Sequence, residues 1–412
     1  MYIIKKILIK FFLFFLIFFS FSLQLRSQEM DNGNNIVVGA ERTSLYVPLL
    51  EGKKVGIVAN QTSLIGKTHL VDSLLSLKVN IRAIYCPEHG FRGEVQAGGK
   101  VSNSIDKKTN IPIISLYGKN KKPQREEFAN NDIVIFDIQD VGCRFYTYIS
   151  TLHYVMEACA ETNIPLLVLD RANPNGFYID GPVIKDTSLV SFVGMHPVPV
   201  VYGMTIGEYA QMINSEGWLN TSSKRVIGEK TNINCNLTII PLENYTHNTR
   251  YTLPISPSPN LKTKDAILLY PSLCWFEGTP ISLGRGTEHP FEIVGFPMYE
   301  NKTFSFTPKT IIGVAENPPY DGIECYGVFL SQNEKYKTNI GQKKINLSIL
   351  IDMYRAYPKK GVFFTSFFDK LSGTKLLKEQ IKNNFSEEKI RKTWIEDLNE
   401  FKQMRSRYLL YK

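Results

Sequence analysis

The chain predicts an α/β fold: a Rossmann-like, doubly wound and mainly parallel sheet, followed by a second, smaller α+β domain. Three observations carry this. Short apolar runs of β type alternate with segments of helical period, the pattern of a parallel sheet covered on both faces. Five of those runs end in polar, titratable or permissive residues, as strands feeding a ligand edge do. Beyond about residue 254 the alternation gives way to long polar loops and then to a different set of elements.

Taken in order, the strands are expected at Lys54 to Asn60, Val79 to Cys86, Ile111 to Tyr117, Asp132 to Gln139 and Ile164 to Asp170. Between them, Leu70 to Leu77 and Tyr148 to Glu161 space their apolar residues for a helix. Met204 to Trp218 reads as a further helix with Thr205 as its N-cap. Pro254 to Pro297, rich in proline and glycine, reads as ordered loops without regular elements. The second domain is expected from Phe304, giving a first domain over 36–303 and an auxiliary one over 304–412. It should hold a strand at Glu324 to Leu330, a helix at Leu347 to Ala356 and a long terminal helix from Glu387 to Leu410.

The first 27 residues have the form of a signal peptide. Lys5, Lys6 and Lys10 precede an apolar run from Phe11 to Leu25, with small Ser27 before a plausible cut. The run is shorter than the roughly 20 residues a spanning helix needs, so stable membrane insertion after cleavage is not expected. The expected location is periplasmic or secreted. With 412 residues, 43% of them hydrophobic, two ordinary domains can bury cores. Losing the signal's four basic residues takes the net charge from +9 to about +5, and the remaining lysines are scattered, so nucleic acid is not implied. Six cysteines lie singly, with no C-x-x-C pair, and buried thiols are the simplest reading; neither metal nor cofactor is expected.

The polar strand ends supply the candidate site. Strand one ends in Asn60-Gln61-Thr62. The turn PEHGFRGE after strand two places Glu88, His89, Arg92 and Glu94 within seven residues, among glycines that let backbone approach a ligand. His89 and Arg92 could set the charge state of a neighbouring carboxyl; the plainer alternative is a solvated turn with a capping acid. The turn QDVGCRFYTY offers Gln139, Asp140, Arg144, Tyr146 and Tyr148, and rings beside hydrogen-bonding groups suit sugars. Tyr148 fits a helix core better than a ligand contact, while Asp140 and Arg144, four apart, could also form a structural ion pair. Asp170-Arg171 closes strand five. The loop FEGTPISLGRGTEHPFE packs Glu277, Arg285, Glu288, His289 and Glu292, and long loops of this kind more often cover a site than merely connect elements. Arg171 and Arg285 could each pair bidentately with a substrate carboxylate.

Other chemistries lose their signals. LIGKT at Leu64 to Thr68 follows a strand, but Gln61 stands where a phosphate loop needs its first glycine. There is no H-E-x-x-H, G-x-S-x-G or G-x-G-x-x-G after the first strand.

Six motifs occur in the order seen in one bacterial family: PEHGFRGE, DIVIFDIQDVGCRFYTY, LDRANPNG, GMTIGEYA, SPSPNL and FEGTPISLGRGTEHPFE. From about Lys54 to the C-terminus the chain resembles the NamZ-type exo-β-N-acetylmuramidases, formerly a domain family of unknown function. The resemblance implies a Rossmann-like catalytic domain, an auxiliary domain and a cleft between them. It also implies release of N-acetylmuramic acid from the non-reducing end of peptidoglycan fragments, with MurNAc-GlcNAc saccharides as partners. On the PEHG motif the family's proposed catalytic glutamate maps to Glu88. On this reading Glu88, His89 and Asp140 are catalytic, and Asn60, Arg92, Arg144, Tyr146, Arg171, Glu277, Arg285 and Glu288 bind substrate. The competing reading is a non-catalytic envelope protein that holds muropeptides or sugars in the same cleft.

Overall fold

The computed structural model describes residues 36–87, 90–92, 103–220 and 231–412; Glu88, His89, Glu94 and the whole of the expected signal lie outside the described residues. The strands that matter for the site are β1 (Val55–Ala59), β4 (Ile81–Cys86), β6 (Pro112–Ser115), β7 (Ile133–Asp137), β8 (Leu166–Leu169) and β9 (Leu237–Ile240). Two short strands, β2 (Leu64–Ile65) and β3 (Thr68–His69), pair with each other, and β5 (Ser104–Ile105) borders the main sheet. That sheet runs β5-β6-β4-β1-β7-β8-β9, parallel throughout except for β5.

Numbering only the parallel strands gives the order 3-2-1-4-5-6, the Rossmann arrangement, whose direction of winding reverses between β1 and β7. The five expected strands are all present. β9 is an addition: its alternating burial, in the polar context TNINCNLTII, marks an edge strand, which needs no continuous apolar run.

Alternation along the strands divides the core into two. From β7, Ile133 and Ile135 face a smaller cluster with Leu70, Val71 and Leu74 of helix α1 (Leu70–Ser76). Val134 and Phe136 face a larger cluster that includes helix α2 (Tyr148–Thr162) and helix α3 (Ile206–Ser215). Helix α3 starts as expected at Thr205, whose hydroxyl accepts from Glu208 N at 3.3 Å while Glu208 Oε2 accepts from Thr205 N at 2.9 Å.

The proline-rich stretch is more regular than expected. It contains helix α4 (Lys264–Leu273), capped by Thr263 through a 3.0 Å bond from Ala266 N, and strand β10 (Ile293–Phe296). Ala266, Ile267, Leu269 and Tyr270 bury one face of α4; Pro271 has no N–H for Ile267 O, and Asn175 Nδ2 donates to that carbonyl at 3.2 Å instead. β10 pairs antiparallel with β12 (Cys325–Phe329), which also holds β11 (Ser305–Phe306), so the small second sheet draws one strand from before residue 304.

Helix α5 (Leu347–Ala356) forms as expected, followed by α6 (Ser366–Ser372) and α7 (Leu376–Lys382). The terminal helix does not run unbroken. It divides into α8 (Glu387–Lys392) and α9 (Ile395–Ser406) at Thr393 and Trp394, where the Thr393 hydroxyl bonds back to Ile390 O at 2.7 Å and the indole is only 4% exposed. After α9 the chain returns to the main sheet, where the Tyr411 hydroxyl donates to Asp170 Oδ2 at 2.5 Å. The larger cluster continues from the sheet into α5, α6 and α7, so both parts share one core. Among the described residues no helix is long and apolar enough to cross a membrane.

Candidate active site

The turns after β1 and β7 meet at the point where the winding reverses, and side chains knit them together. Asn60 Oδ1 accepts from Thr62 N at 2.9 Å and from its hydroxyl at 2.5 Å, while Thr62 Oγ1 accepts from Gln139 N at 3.0 Å across the switch point. Gln139 Nε2 in turn donates to Asp140 O and Ala172 O, tying in the turn after β8. Gly142, at φ +73°, keeps the β7 turn tight: a Cβ there would fall 2.1 Å from Asn173 Oδ1. β4 ends at Cys86 beside β1, so the PEHG turn leaves the sheet at this same edge.

In front of this edge lies a cavity of about 190 Å³. Tyr146, Tyr148, Tyr270 and Phe291 supply its aromatic walls, and Ser258, Asn260, Glu277 and Arg285 its polar groups. Tyr148 accepts Asn60 Nδ2 at 2.8 Å, so Asn60 reaches the cavity through that ring. The Tyr146 hydroxyl donates to Pro257 O at 2.8 Å, and Gln61 Nε2 reaches the same oxygen at 3.1 Å, which clips the SPSPN turn over the strand ends. Arg285 pairs with Glu277 Oε1 through Nη2 and, at 3.2 Å, through Nε; its guanidinium sits 5.0 Å from the Phe291 ring centroid. One third of the Arg285 side chain is exposed, leaving it able to meet an anionic ligand.

The other expected arginines have internal partners. Arg171 is 4% exposed and grips Asp137 with two bonds, 2.5 and 2.9 Å. Arg92 is held between Asp72 and Asp106 by four bonds of 2.9 to 3.0 Å, pinning its turn to α1 and to the segment after β5. The Asp72 carboxyl is pulled down to about 2 by its bond to Arg92. Arg144 is wholly buried and donates to four carbonyls, Pro182 and Val198 at 2.8 and 2.7 Å and Leu371 and Ser372 at 2.9 and 3.0 Å. It does not pair with Asp140. Glu288 is exposed and does not line the cavity.

Asp140 is buried beneath the edge, where Oδ2 accepts from Gly142 N at 2.6 Å and from the Tyr202 hydroxyl. Among the described residues Oδ1 has no hydrogen-bond partner. Desolvation pushes the Asp140 carboxyl up to about 7, and burial does the same for Asp170, which accepts from Tyr411, Thr205 and Gly207. A carboxyl whose folded value is raised adds stability that is full below its unfolded value, near 3.9, and is lost as pH rises through its folded value. The denaturation midpoint is therefore expected to fall between pH 4.5 and pH 8, and Asp140→Asn is expected to flatten that fall. An identical pH dependence of the urea midpoint in the two proteins would refute the assignment.

The sequence did not single out Ser258, Asn260, Tyr270 or Phe291 as site residues. Ser258 and Asn260 lie in SPSPNL and Phe291 in the FEGT loop, so the motifs contained them, but their shared cavity depends on α4, which the proline content concealed.

A Rossmann-ordered sheet whose switch point opens on an aromatic, charge-lined cleft defines an α/β protein with a ligand site at the carboxyl ends of its strands. The comparisons give the family. The sequence models of the N-terminal and C-terminal parts of exo-β-N-acetylmuramidase NamZ match residues 55–265 and 268–411, and the chain belongs to that family. It is 37% identical over 388 residues to the peptidoglycan β-N-acetylmuramidase NamZ of Bacillus subtilis strain 168, covering 89% of each chain. Two crystal structures of DUF1343 family proteins from Bacteroides fragilis NCTC 9343 are similar throughout. One matches with TM-score 0.82 at 45% identity and the other with 0.72 at 28%, each alignment covering 92% of this chain and 99% of the other.

Proposed function

We propose that the protein is an exo-acting glycoside hydrolase that releases N-acetylmuramic acid from the non-reducing end of peptidoglycan fragments such as MurNAc-GlcNAc. The observation that carries this reading is the likeness to the Bacillus enzyme along nearly the whole of both chains. The site supports it: aromatic walls offer faces to a pyranose ring, and Ser258 and Asn260 offer groups that pair with hydroxyls and amides. Glu88 follows Pro87 at the carboxyl end of β4 and would give the proton to the leaving oxygen, with His89 orienting it. Arg92, neutralised by two carboxylates, would act by holding the turn in place.

Of the two arginines able to meet the lactyl carboxylate that distinguishes MurNAc from GlcNAc, Arg285 is the one that lines the cavity. Arg171 is engaged by Asp137, whereas Arg285 faces the cavity, with Glu277 fixing its plane. A charge-assisted bond to a carboxylate contributes about 1.5–3 kcal/mol. Arg285→Ala is therefore expected to raise KM for a chromogenic N-acetylmuramide roughly 10- to 100-fold, with a much smaller effect on turnover. A KM left at the wild-type value would assign the lactyl contact elsewhere.

The proposal extends to location. Residues 1–27 act as an export signal cut near Ser27, and the mature enzyme works in the periplasm or outside the cell without a metal. N-terminal sequencing of the protein recovered from cells is expected to start near Gln28, and a chelator is expected to leave activity unchanged. An intact N-terminus in the membrane fraction would contradict the first expectation, and loss of activity restored by zinc the second.

A further inference from the structure

A second cavity, of about 580 Å³, opens on the C-terminal domain and shares no lining residue with the cleft. Its volume falls within the roughly 300–1,000 Å³ typical of small-molecule sites. Tyr299, Phe304 and Phe329 line it and are only half-buried, beside the buried Tyr336. Phe304 and Phe329 meet at 5.8 Å and 50°, leaving ring surface open to solvent. The polar lining is of a kind that suits acetamido sugars: exposed Asn301 and Gln332, half-buried Asn333, and Asp352, which is held by the Tyr336 hydroxyl and Lys335 Nζ at 2.5 Å each. Amides and a fixed carboxylate pair with hydroxyl and N-acetyl groups, and the rings take the apolar face of a pyranose.

This groove also adjoins the polar loop of the cleft. The His289 ring lies 4.8 Å from Phe329, on the same loop that carries Arg285 into the cleft. We infer that the C-terminal domain carries a separate saccharide subsite, which takes an N-acetylhexosamine residue of a longer glycan while the non-reducing end occupies the cleft. The inference rests on the hydrolase reading for its substrate class. It gives the auxiliary domain a role in retaining polymeric substrate that an enzyme acting on disaccharides alone would not need.

The test pairs two variants, Phe304→Ala and Gln332→Ala, with two substrates and one uncleaved probe. Losing a ring contact is worth about 3- to 10-fold in affinity. KM for peptide-free glycan strands is expected to rise by that factor in Phe304→Ala and to rise measurably in Gln332→Ala, with the kinetics on a chromogenic N-acetylmuramide unchanged. Calorimetry with the GlcNAc tetrasaccharide should show the same weakening. If the wild type releases no MurNAc while the variants still bind the tetrasaccharide more weakly, the subsite stands and the hydrolase reading falls. If the wild type cleaves muramides while both variants match it on glycan strands and on the tetrasaccharide, the subsite is refuted. A loss in Phe304→Ala that appears equally on the monosaccharide, with Gln332→Ala unaffected, refutes it as well.

Discussion

Glu88→Gln is expected to lower turnover on natural saccharides by roughly 10²–10⁴-fold, the range of general acid catalysis, with little change in substrate binding. The substitution keeps the size of the side chain and removes the transferable proton. The position follows from topology: β4 is a parallel strand next to β1, and in such a sheet ligands bind off the carboxyl ends at the switch point. A leaving group that needs no protonation sharpens the measurement. On an activated aryl muramide the loss should shrink markedly, because departure no longer depends on the acid. An equal loss on both substrates would make Glu88 a nucleophile or a positioning group. Weakened binding with turnover intact would pass the acid role to Glu277, the carboxylate that lines the cleft, ahead of exposed Glu288 and buried Asp140.

Arg144→Met is expected to destabilise the fold by several kcal/mol, because each buried carbonyl left without its donor costs about 1–3 kcal/mol. Four carbonyls from two distant regions converge on this one guanidinium, two of them more than 220 residues away in sequence on the end of α6. Removing it strands those acceptors in the core that the two parts of the chain share. The guanidinium is wholly buried, and desolvation lowers it to about 10. Arg144→Lys should recover only part of the loss, since an ammonium cannot span four acceptors as a planar fork does. The check is the urea midpoint together with steady-state kinetics: stability should fall while KM of the folded enzyme holds. The opposite pattern, raised KM at unchanged midpoint, would put Arg144 in contact with substrate.

The residues that organise the site were unevenly legible in the sequence. Strand periodicity and strand-end polarity locate the ligand edge, because both are local properties: Ile133 to Phe136 alternates between two cores, and Asn60 and Gln139 fall within two residues of the ends of their strands. The Thr205 cap is local too. What a guanidinium faces is not. Arg92, Arg144 and Arg171 look alike as polar residues near strand ends, yet each is held by partners 14 to 228 residues away, so only the folded arrangement separates them from Arg285. Helix α4 is concealed because Pro271 argues against a helix, and the donor that takes the place of its missing N–H, Asn175, lies 92 residues from the carbonyl it satisfies. The break falls at Thr393 and Trp394, where the indole is buried, a tertiary contact that helical periodicity does not report.

The most direct test of the account is a side-by-side assay of the purified mature protein on chromogenic N-acetylmuramide and N-acetylglucosaminide substrates that differ only in the lactyl ether. Rapid release of the chromophore from the muramide and almost none from the glucosaminide is expected, with the preference eroded in Arg285→Ala. Equal rates on the two sugars would contradict the muramidase assignment, and tight binding of the muramide without any release would return the cleft to a binding protein.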